Sequence, residues 1–547
     1  MDGLATERVA SPVAGDTRTT AVIENDRVTA DDDRVNPTSV RGHVPAASQA
    51  TGGSRALDRI GRAGWILIAV QLLVVLVVSS WEYRRFALGT GFGTYAQAWV
   101  AIAHGHLDPT STLIGKPFWR NDAEFIVWPL SLLYYLYPHP VDLLWVQDIA
   151  VALTEAVAFA WVLEVVRDGT GRRHERLAPL LAGGALAVLL VDPFSYLTVA
   201  YDVHSEAIAG LFVVLAGRAL WATRFRQLWW WVPLAFVTDA FAGLYVVAVG
   251  ISGIVAGRRT RRCGLALVAA GMAWVLAINA LGGDQFGYTH SLAGWYGYLV
   301  GHRATVSAFS VVIGVLAHPL TAAHMALTRW NLITDFLVVM GLAGLVSPWA
   351  WPMVCVVILP SALNANVAFL NPHASFQTWP TLMFVLVGSV MVLQRLAAGT
   401  TRARRTAGAV GVIWLVAVVV VAGSLLPGVP RFWIAVGARP AAQLARLDSE
   451  IPPRAEVIAS WGVVGRFAVR SDVYAYGPLS KTFPVNRTTV FFVVTPGSGF
   501  DQVPAATAQK AVRFVERQLG AKAVTAGGGV YGLRWNPPPG TTHIRLP

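Results

Sequence analysis

The chain has 547 residues, of which 55% are hydrophobic and 14% charged, and its mean hydropathy is +0.52. Soluble proteins carry about 25% charged residues, so this composition excludes an ordinary soluble protein. The formal net charge of +12 would suggest a nucleic-acid partner in a soluble chain. Here the arginines lie in short loops between apolar runs, and the preference of basic residues for the cytoplasmic side explains them better. We therefore expect a polytopic helical membrane protein that binds no nucleic acid.

The chain begins with a polar segment, residues 1–62, that lacks the apolar core of a signal peptide. Its composition predicts a disordered tail, and Arg55, Arg59 and Arg62 place that tail in the cytoplasm. Trp65–Trp81 is the first predicted span and opens a transmembrane region that extends over residues 63–430.

A long outer loop is expected next, over residues 82–140. Within it, Tyr95–His106 has the apolar spacing of an amphipathic helix. Phe125–Tyr137 is apolar and aromatic but only 13 residues long. This length is too short for a full span, so we expect a helix in or on the outer leaflet.

The remaining spans follow from apolar runs and from arginine clusters that must all lie inside. Arg258–Arg262 requires an even number of crossings before it, so Leu228–Ile254 is interpreted as two short helices turning near Asp239. Pro193–Glu206 is expected at the outer surface. About 11 spans result, and those after the first are Val141–Val166, Leu177–Val191, Ala207–Trp221, the two helices of Leu228–Ile254, Gly264–Leu281, Leu332–Val346, Trp351–Leu363, Thr378–Leu393 and Ala407–Leu426.

Residues 431–547 lose the membrane composition, and we expect a small extracytoplasmic α/β domain there. The pattern predicts strands at Ala455–Ser460, Thr488–Thr495 and Gly527–Trp535, and an amphipathic helix at Pro504–Leu519. The N-terminus is then cytoplasmic and the C-terminus extracytoplasmic, in a multi-pass protein of the cell membrane.

One stretch, Tyr201–Glu206, places two carboxylates and an imidazole between long apolar runs. Ionisable groups at membrane depth cost roughly 2.5–3.5 kcal/mol each on insertion scales and therefore tend to face a cavity or a partner. On a regular helix, Asp202 and Glu206 share a face while His204 points away. We interpret the stretch as one wall of a polar pocket at the outer face, although both carboxylates could instead satisfy a helix start.

Other polar residues gather at the same predicted outer face. Asp122 and Glu124 precede the short apolar helix, where a simple polar rim is the alternative reading. Asp239 either joins the pocket or satisfies the amides of a helix start. The remaining candidates from the outer segments are Tyr95, Gln97, Arg120, Arg303 and His373.

Metal and redox patterns are weak in this sequence. The two cysteines, Cys263 and Cys355, lie in apolar surroundings and predict neither a metal site nor a disulfide framework. His104 and His106 form an isolated pair. We expect no cofactor, although a divalent metal is compatible with the acidic residues.

Several motifs together resemble a family of bacterial membrane proteins, domain of unknown function family 2079, from about residue 65 to 535. Tyr201–Glu206 is similar to its Phe-Asp-Phe-His-Pro-Glu motif, and Gly91–Gln97 with His104-Gly105 to its first-loop motif. Glu124–Pro129 with Gln147 resembles its His-Phe-Ser-Pro segment. Leu359-Pro360 with Asn364 and Asn366, and the segment starting at Leu447–Pro452, also fit.

That family in turn resembles GT-C glycosyltransferases in architecture, which implies a donor sugar on polyprenyl phosphate in the membrane lipid. The resemblance implies Asp122 or Glu124 as catalytic base and Arg120 or Arg303 for the phosphate. The remaining candidates are expected to bind the substrate, and these are Asp202, His204, Glu206, Tyr95, Gln97, Asp239 and His373. The chain departs from the pattern because Gly91 stands where the first-loop motif usually begins with Asp.

Three functions remain open at this point. The first is a glycosyltransferase-like protein at the outer face of the cytoplasmic membrane. The second is a non-catalytic protein that binds a lipid-linked glycan or assembles the cell envelope on the same scaffold. A transporter is less favoured, because no internal repeat is seen and the polar groups lie near one surface. Convergence of Asp122 or Glu124 with Asp202 and Glu206 around a cavity would favour the enzyme. The excess of Arg over Lys, with abundant Ala and Val, is typical of a high-GC bacterium such as an actinobacterium.

Overall fold

The structure is a computed structural model that describes residues 52–120, 123–169, 172–200, 202–282, 288–301, 303–366, 376–478, 480–497 and 503–547. It is mainly helical. The helices of the first half are α1 Gly52–Arg84, α2 Thr90–Ala103, α3 Val127–Leu130, α4 Asp142–Arg167, α5 Arg172–Val191, α6 Pro193–Ala200, α7 Ser205–Trp221, α8 Phe225–Thr238, α9 Ala242–Ala256 and α10 Arg258–Gly282.

The second half continues with helices and then strands. The helices are α11 Tyr288–Val300, α12 Ala308–Ala317, α13 Pro319–Leu327, α14 Trp330–Met340, α15 Trp351–Met353, α16 Leu359–Leu363, α17 Trp379–Ala398, α18 Thr401–Leu425, α19 Pro430–Trp433, α20 Ala438–Glu450 and α21 Ala505–Arg517. The strands are β1 Thr110–Ser111, β2 Lys116–Pro117, β3 Glu456–Ser460, β4 Val473–Tyr476, β5 Thr482–Pro484, β6 Val490–Val494, β7 Lys522–Gly527, β8 Val530–Trp535 and β9 His543–Arg545.

The described part of the chain has six helices long and apolar enough to cross a membrane, or seven if the bent pair α12 and α13 counts as one span. This is fewer than the 11 expected from the sequence. Several apolar segments form helices shorter than the roughly 20 residues that cross a bilayer core upright. Helix α8 has 14 residues and α9 has 15. A π-helical turn, Val354–Ile358, interrupts the segment between α15 and α16.

The turn at Asp239 confirms the prediction of two short helices in this region. Helix α8 ends at Thr238 and α9 begins at Ala242. The following helix, α10, packs along α9 because four glycines, Gly243, Gly250, Gly264 and Gly271, allow close approach of the two backbones. A Cβ atom at Gly264, for example, would lie 2.5 Å from the carbonyl oxygen of Gly250.

The segment that the sequence predicts as the first outer loop contains α2, a two-stranded hairpin of β1 and β2, and the short helix α3. The predicted helix at Tyr95–His106 is therefore confirmed, with earlier bounds. The apolar stretch from Phe125 forms α3 and a 3₁₀ turn, Ser131–Tyr135, rather than a long helix. Neither segment is long enough to cross a membrane, as its length predicts.

Near the C-terminus, five strands form one sheet in the order β4-β3-β6-β8-β7. Strand β3 pairs parallel with β4 and β6, and β8 pairs antiparallel with β6 and β7. The predicted strands and the predicted helix at Pro504–Leu519 are all present, as β3, β6, β8 and α21. The stretch predicted as one strand, Gly527–Trp535, corresponds to β8. Strand β7, which pairs with β8 in a hairpin, was not predicted.

This sheet shares its core with the first outer loop. Phe86 and Ala87 are buried in the same cluster as Val457 and Phe467. The Gly465 amide donates to the Leu88 carbonyl at 3.0 Å, and a Cβ at Gly465 would lie 2.8 Å from the Gly89 carbonyl oxygen. The close contact fixes the end of α1 and the start of α2. The site described next depends on this segment.

Candidate functional site

Four polar side chains from distant segments meet near the start of α7 and the turn between α8 and α9. The Ser205 hydroxyl lies 2.5 Å from Oδ2 of Asp239 and 3.0 Å from Oε1 of Glu124. The Tyr95 hydroxyl donates to the same Glu124 oxygen and accepts from the Ser205 amide at 3.3 Å. We call Tyr95, Glu124, Ser205 and Asp239 the carboxylate cluster.

The carboxylate cluster is closed off from solvent by its own packing. Asp239 is 0% exposed and Glu124 and Ser205 are 1% exposed. Burial and the neighbouring Glu124 raise the pKa of Tyr95 well above its usual range, so the phenol remains a hydrogen donor to the carboxylate. The ionised phenolate of Tyr95 would instead lie next to the negative charge of Glu124.

Helix ends supply the electrostatic support for these acids. Ser205 is the first residue of α7, and Asp239 precedes α9 and accepts from the Phe241 amide at 2.6 Å. The amino-terminal end of a helix carries a partial positive charge and exposed amide groups. Two such ends therefore stabilise negative charge in the carboxylate cluster.

Glu206 lies beside the carboxylate cluster. Gln377 donates to Glu206 Oε1 at 3.2 Å, and the buried Tyr245 hydroxyl donates to the Gln377 carbonyl. Tyr245 lies within electrostatic range of both Glu206 and Asp239. The structure thus brings Glu124, Glu206 and Asp239 into one region, and their role as the wall of a pocket stays a prediction.

Asp202 has a different position. Its Oδ1 accepts from the Phe92 amide at 2.7 Å and its Oδ2 from the Gly91 amide at 3.1 Å. The carboxylate therefore caps the start of α2 across more than 100 residues of sequence. Burial raises the pKa of Asp202 to about 6, while these amides oppose the increase.

The local backbone also differs from the expectation of a regular helix at Asp202–Glu206. Asp202 has a φ of +59°, His204 is extended, and α7 begins only at Ser205. The expected sharing of one helix face by Asp202 and Glu206 is therefore wrong. The physical reason is the cap: a left-handed residue turns the Asp202 carboxylate toward α2.

Gln147 holds this irregular turn in place. Its side-chain amide donates to the carbonyls of Thr198 and Asp202 at 3.2 and 2.9 Å, and its Oε1 accepts from the His204 amide at 2.6 Å. The His204 ring stacks on Phe376 with centroids 3.4 Å apart and planes 6° apart. His204 is thus positioned by packing at the edge of the site.

The other expected residues are distributed around the loop. Gln97 donates to Thr112 at 2.8 Å and accepts from Ser111 at 2.6 Å, which ties α2 to the β1–β2 hairpin. The Arg120 guanidinium lies 5.0 Å from the Trp119 ring centroid. Arg303 is exposed on the segment before α12. Asp122 and His373 lie outside the described residues.

An apolar cavity of about 430 Å³ begins directly after Asp239. Ala240 and Phe241 form one end, and the walls come from α10, α11, α12 and the segment of α15 and α16. Among its lining residues, Val312 is 56% and Leu316 75% exposed. The cavity therefore opens to the exposed apolar surface of these helices.

Packing links the cavity to the first outer loop. Ala123 and Ile278 form a small buried cluster against which Trp119, Ala240 and Trp274 pack. Ile278 also lines the cavity. Arg120 and Glu124 therefore flank a loop segment that contacts the wall of the cavity.

Sequence reasoning did not assign Ser205, Gln147 or Tyr245 to the site. Ser205 lies inside the motif, and Gln147 was noted only through the family resemblance. Tyr245 sits in an apolar helix, where nothing in the pattern distinguishes it from a packing residue. Among the described residues, no group of three or more His, Cys, Asp or Glu is placed to hold a metal ion.

Comparison with known proteins gives one family and a small number of solved structures. The family described as Predicted membrane protein (DUF2079) matches residues 88–493. No curated protein matches. Among solved structures, the chain is similar to ArnT from Cupriavidus metallidurans bound to undecaprenyl phosphate and to the same protein in the apo state. The identities are 14% and 12%, both TM-scores are 0.48, and each match covers 86% of this chain and 98% of the other.

Proposed function

Since the chain belongs to the DUF2079 family of predicted membrane proteins, we propose that it is a glycosyltransferase-like protein that uses a polyprenyl-phosphate-linked sugar at the outer face of the cytoplasmic membrane. The observation that supports the proposal is that Asp239 of the buried carboxylate cluster directly precedes Ala240 and Phe241, which line the apolar cavity. A lipid-linked sugar needs both surroundings at once, because its tail is apolar and its reacting end is polar.

In this proposal Glu124 is the general base. The acceptor hydroxyl gives its proton to Glu124 while its oxygen attacks the anomeric carbon, and the bond from that carbon to the phosphate oxygen breaks. Polyprenyl phosphate leaves with the bonding electrons. Tyr95 and Ser205 orient the carboxylate by hydrogen bonds to Oε1. Asp122 is the alternative base in the same loop.

Glu206, Asp239, His204 and His373 would contact the sugar, and Arg120 would bind the phosphate. Arg120 is favoured over Arg303 because Trp119, which it overlies, packs against the cluster of Ala123 and Ile278, and Ile278 lines the cavity. Asp202 and Gln97 act as positioning residues in this arrangement, since both fix α2 and the loop that carries Tyr95 and Glu124.

The distribution of arginine supports the assigned side of the membrane. Glu164 accepts from Arg218 at 2.7 and 2.9 Å and from Arg224 at 3.0 Å. Ser205 and Arg218 are 13 residues apart on α7, or about 20 Å along the helix axis. The arginine-rich end and the carboxylate cluster thus lie at opposite ends of one helix, as positive-inside sorting requires.

One observation favours the non-catalytic alternative. Asp202, the first acid of the motif, caps α2, and Gly91 stands where the family's first-loop motif usually has Asp. A lipid-glycan binding protein would retain the cavity and the cluster but transfer no sugar. The two functions therefore differ in turnover, while both require binding of the lipid.

The test is sugar transfer from radiolabelled polyprenyl-phosphate sugars by the purified protein in lipid nanodiscs. Glu124→Gln should lower transfer by about 10²–10⁴-fold, the usual contribution of a general base. Arg446→Gln, on the exposed face of α20, is the matched surface control and should retain wild-type transfer. Equal transfer by wild type and Glu124→Gln would exclude Glu124 as base. Binding without transfer by wild type would establish the alternative.

A further inference from the structure

A second group of acids lies inside the helical bundle, away from the carboxylate cluster. Asp148 and Glu155 are two turns apart on one face of α4 and are 2% and 1% exposed. Glu155 is the 14th of the 26 residues of α4, so it lies at the middle of a candidate membrane span. We call the contact of α1, α4 and α6 around these two acids the acidic seam.

The acidic seam encloses a small cavity of about 10 Å³. Its polar lining consists of Gln71 from α1, Asp148 and Glu155 from α4, and Ser195 and Tyr196 from α6. This is about the space needed by a single water molecule, which requires polar partners on several sides. The lining supplies such partners almost entirely as oxygen atoms.

These oxygens lack partners within the described residues. Neither carboxylate oxygen of Asp148 or of Glu155 has a hydrogen-bond donor in place, and Oε1 of Gln71 is likewise unsatisfied. Ser79 stands beside Asp148, while Gln71 and Ser195 stand beside Glu155. Buried polar groups in folded proteins are nearly always satisfied, so these carboxyls require a partner other than the surrounding side chains.

No cation of the described chain compensates these acids. The ion pairs of α4 are those of Glu164 and Arg167 at its other end, and none involves Asp148 or Glu155. The other ionisable groups facing the seam are Glu82 from α1, Asp192, which accepts from Ser195 at 2.8 Å, and Tyr196 from α6. All of them are acids, so an ionised pair at this depth would have only like charges nearby.

We propose that the acidic seam is an intramembrane proton-binding site in which Asp148 and Glu155 carry protons that they share with a water molecule in the cavity. A protonated carboxyl becomes a donor as well as an acceptor. Two such groups, the water, Gln71 and Ser195 can satisfy one another without any net charge. This proton-binding site is separate from the proposed sugar-transfer site. The two proposals can therefore be tested independently.

The test is infrared spectroscopy of the full-length protein in lipid nanodiscs at neutral pH. Protonated carboxyls give a C=O stretching band that ionised carboxylates lack. Asp148→Asn and Glu155→Gln should each remove one such band, since each replacement has nearly the same shape as the protonated acid. Glu164→Gln is the matched control on the same helix. Its carboxylate is paired with Arg218, so its replacement should leave the band region unchanged.

A measurement on wild type alone covers the case in which a variant does not fold. Transfer into deuterium oxide should shift the bands, because protons shared with a water molecule exchange. Absence of protonated-carboxyl bands in wild type, or their full retention in both seam variants, would overturn the proposal. Loss of the bands on addition of sodium would also overturn it, because a metal cation would then be the occupant.

Discussion

The Ser205 hydroxyl oxygen lies 2.5 Å from Oδ2 of Asp239, which joins the first turn of α7 to the turn between α8 and α9. The same hydroxyl lies 3.0 Å from Glu124 in the first outer loop. A single hydrogen cannot serve both acids at once, so the pair competes for it. Such an arrangement keeps two carboxylates close while their environment excludes water.

Removal of this hydroxyl should destabilise the protein. Ser205→Ala takes away a buried partner of two carboxylates, which costs about 1–3 kcal/mol in free energy of unfolding. The measurement is thermal unfolding in detergent, where the melting temperature of the variant should fall. Ser449→Ala, an exposed serine of α20, is the control and should change stability by less than about 0.5 kcal/mol. Identical melting of the two variants would contradict the assigned contact.

A side chain at Gly91 should disturb the cap of α2. A Cβ there would lie 2.8 Å from Asp202 Oδ2, so Gly91→Ala displaces the capping carboxylate and should cost about 1–2 kcal/mol. Gly408→Ala, in α18, is the control, because a Cβ there meets no atom within 4 Å and alanine favours helix. In an Asp202→Ala background the cost at Gly91 should nearly vanish. An unchanged cost in that background would show that the clash involves another group.

The stability of the cap should depend on pH in a defined direction. Burial raises the pKa of Asp202 to about 6 from its usual 3.8. The unfolded chain therefore releases this proton at a lower pH than the folded protein does. Between about pH 4 and 6 the folded state binds more protons, so its stability falls as pH rises through this window and is level above it.

Comparison with Asp202→Asn isolates this effect, because the amide cannot titrate. The difference in melting temperature between wild type and Asp202→Asn should decrease from pH 4 to pH 6 and then remain constant. A difference that is independent of pH across the window, or one that increases, would show that Asp202 keeps an ordinary pKa.

Arg120 should contribute to binding of the lipid phosphate. Loss of one charge-assisted hydrogen bond costs about 1.5–3 kcal/mol, so Arg120→Gln should weaken binding of polyprenyl phosphate by about 10- to 100-fold. Arg303→Gln is the comparison and should have a smaller effect. Isothermal titration of both variants in detergent measures this directly. A larger effect at Arg303 would move the phosphate to the segment before α12.

The sequence predicts the main helices and the position of one functional turn. The parity of the arginine clusters requires two helices between Leu228 and Ile254, and their turn places Asp239 in the site. Glu124 is a candidate through the family resemblance, while its place before a short apolar segment is equally compatible with a simple polar rim. The prediction of two short helices succeeds because the length of an apolar run is a property of local sequence, whereas the site role of Glu124 stays a prediction.

The contacts of Asp202 and Ser205 could not be predicted in the same way. The amides that bind Asp202 are 110 and 111 residues earlier in the chain, and the acids that flank Ser205 are 81 and 34 residues away. The spacing of Asp202 and Glu206 predicts a shared helix face, because spacing along the chain does not reveal a capping partner in another segment. The count of about 11 spans stays a prediction for a related reason, since an apolar run alone does not reveal how long its helix is.

In the proposed complex, a polyprenyl-phosphate lipid places its tail in the cavity beside Asp239. The most direct measurement is photo-crosslinking with a benzophenone-bearing polyprenyl phosphate in nanodiscs, followed by mass-spectrometric mapping of the adducts. Adducts are expected on Val275, Ile278 and Val312, and unlabelled polyprenyl phosphate should compete them away. Adducts confined to exposed positions of α18 such as Val412 and Val419, with none on the cavity wall, would contradict it.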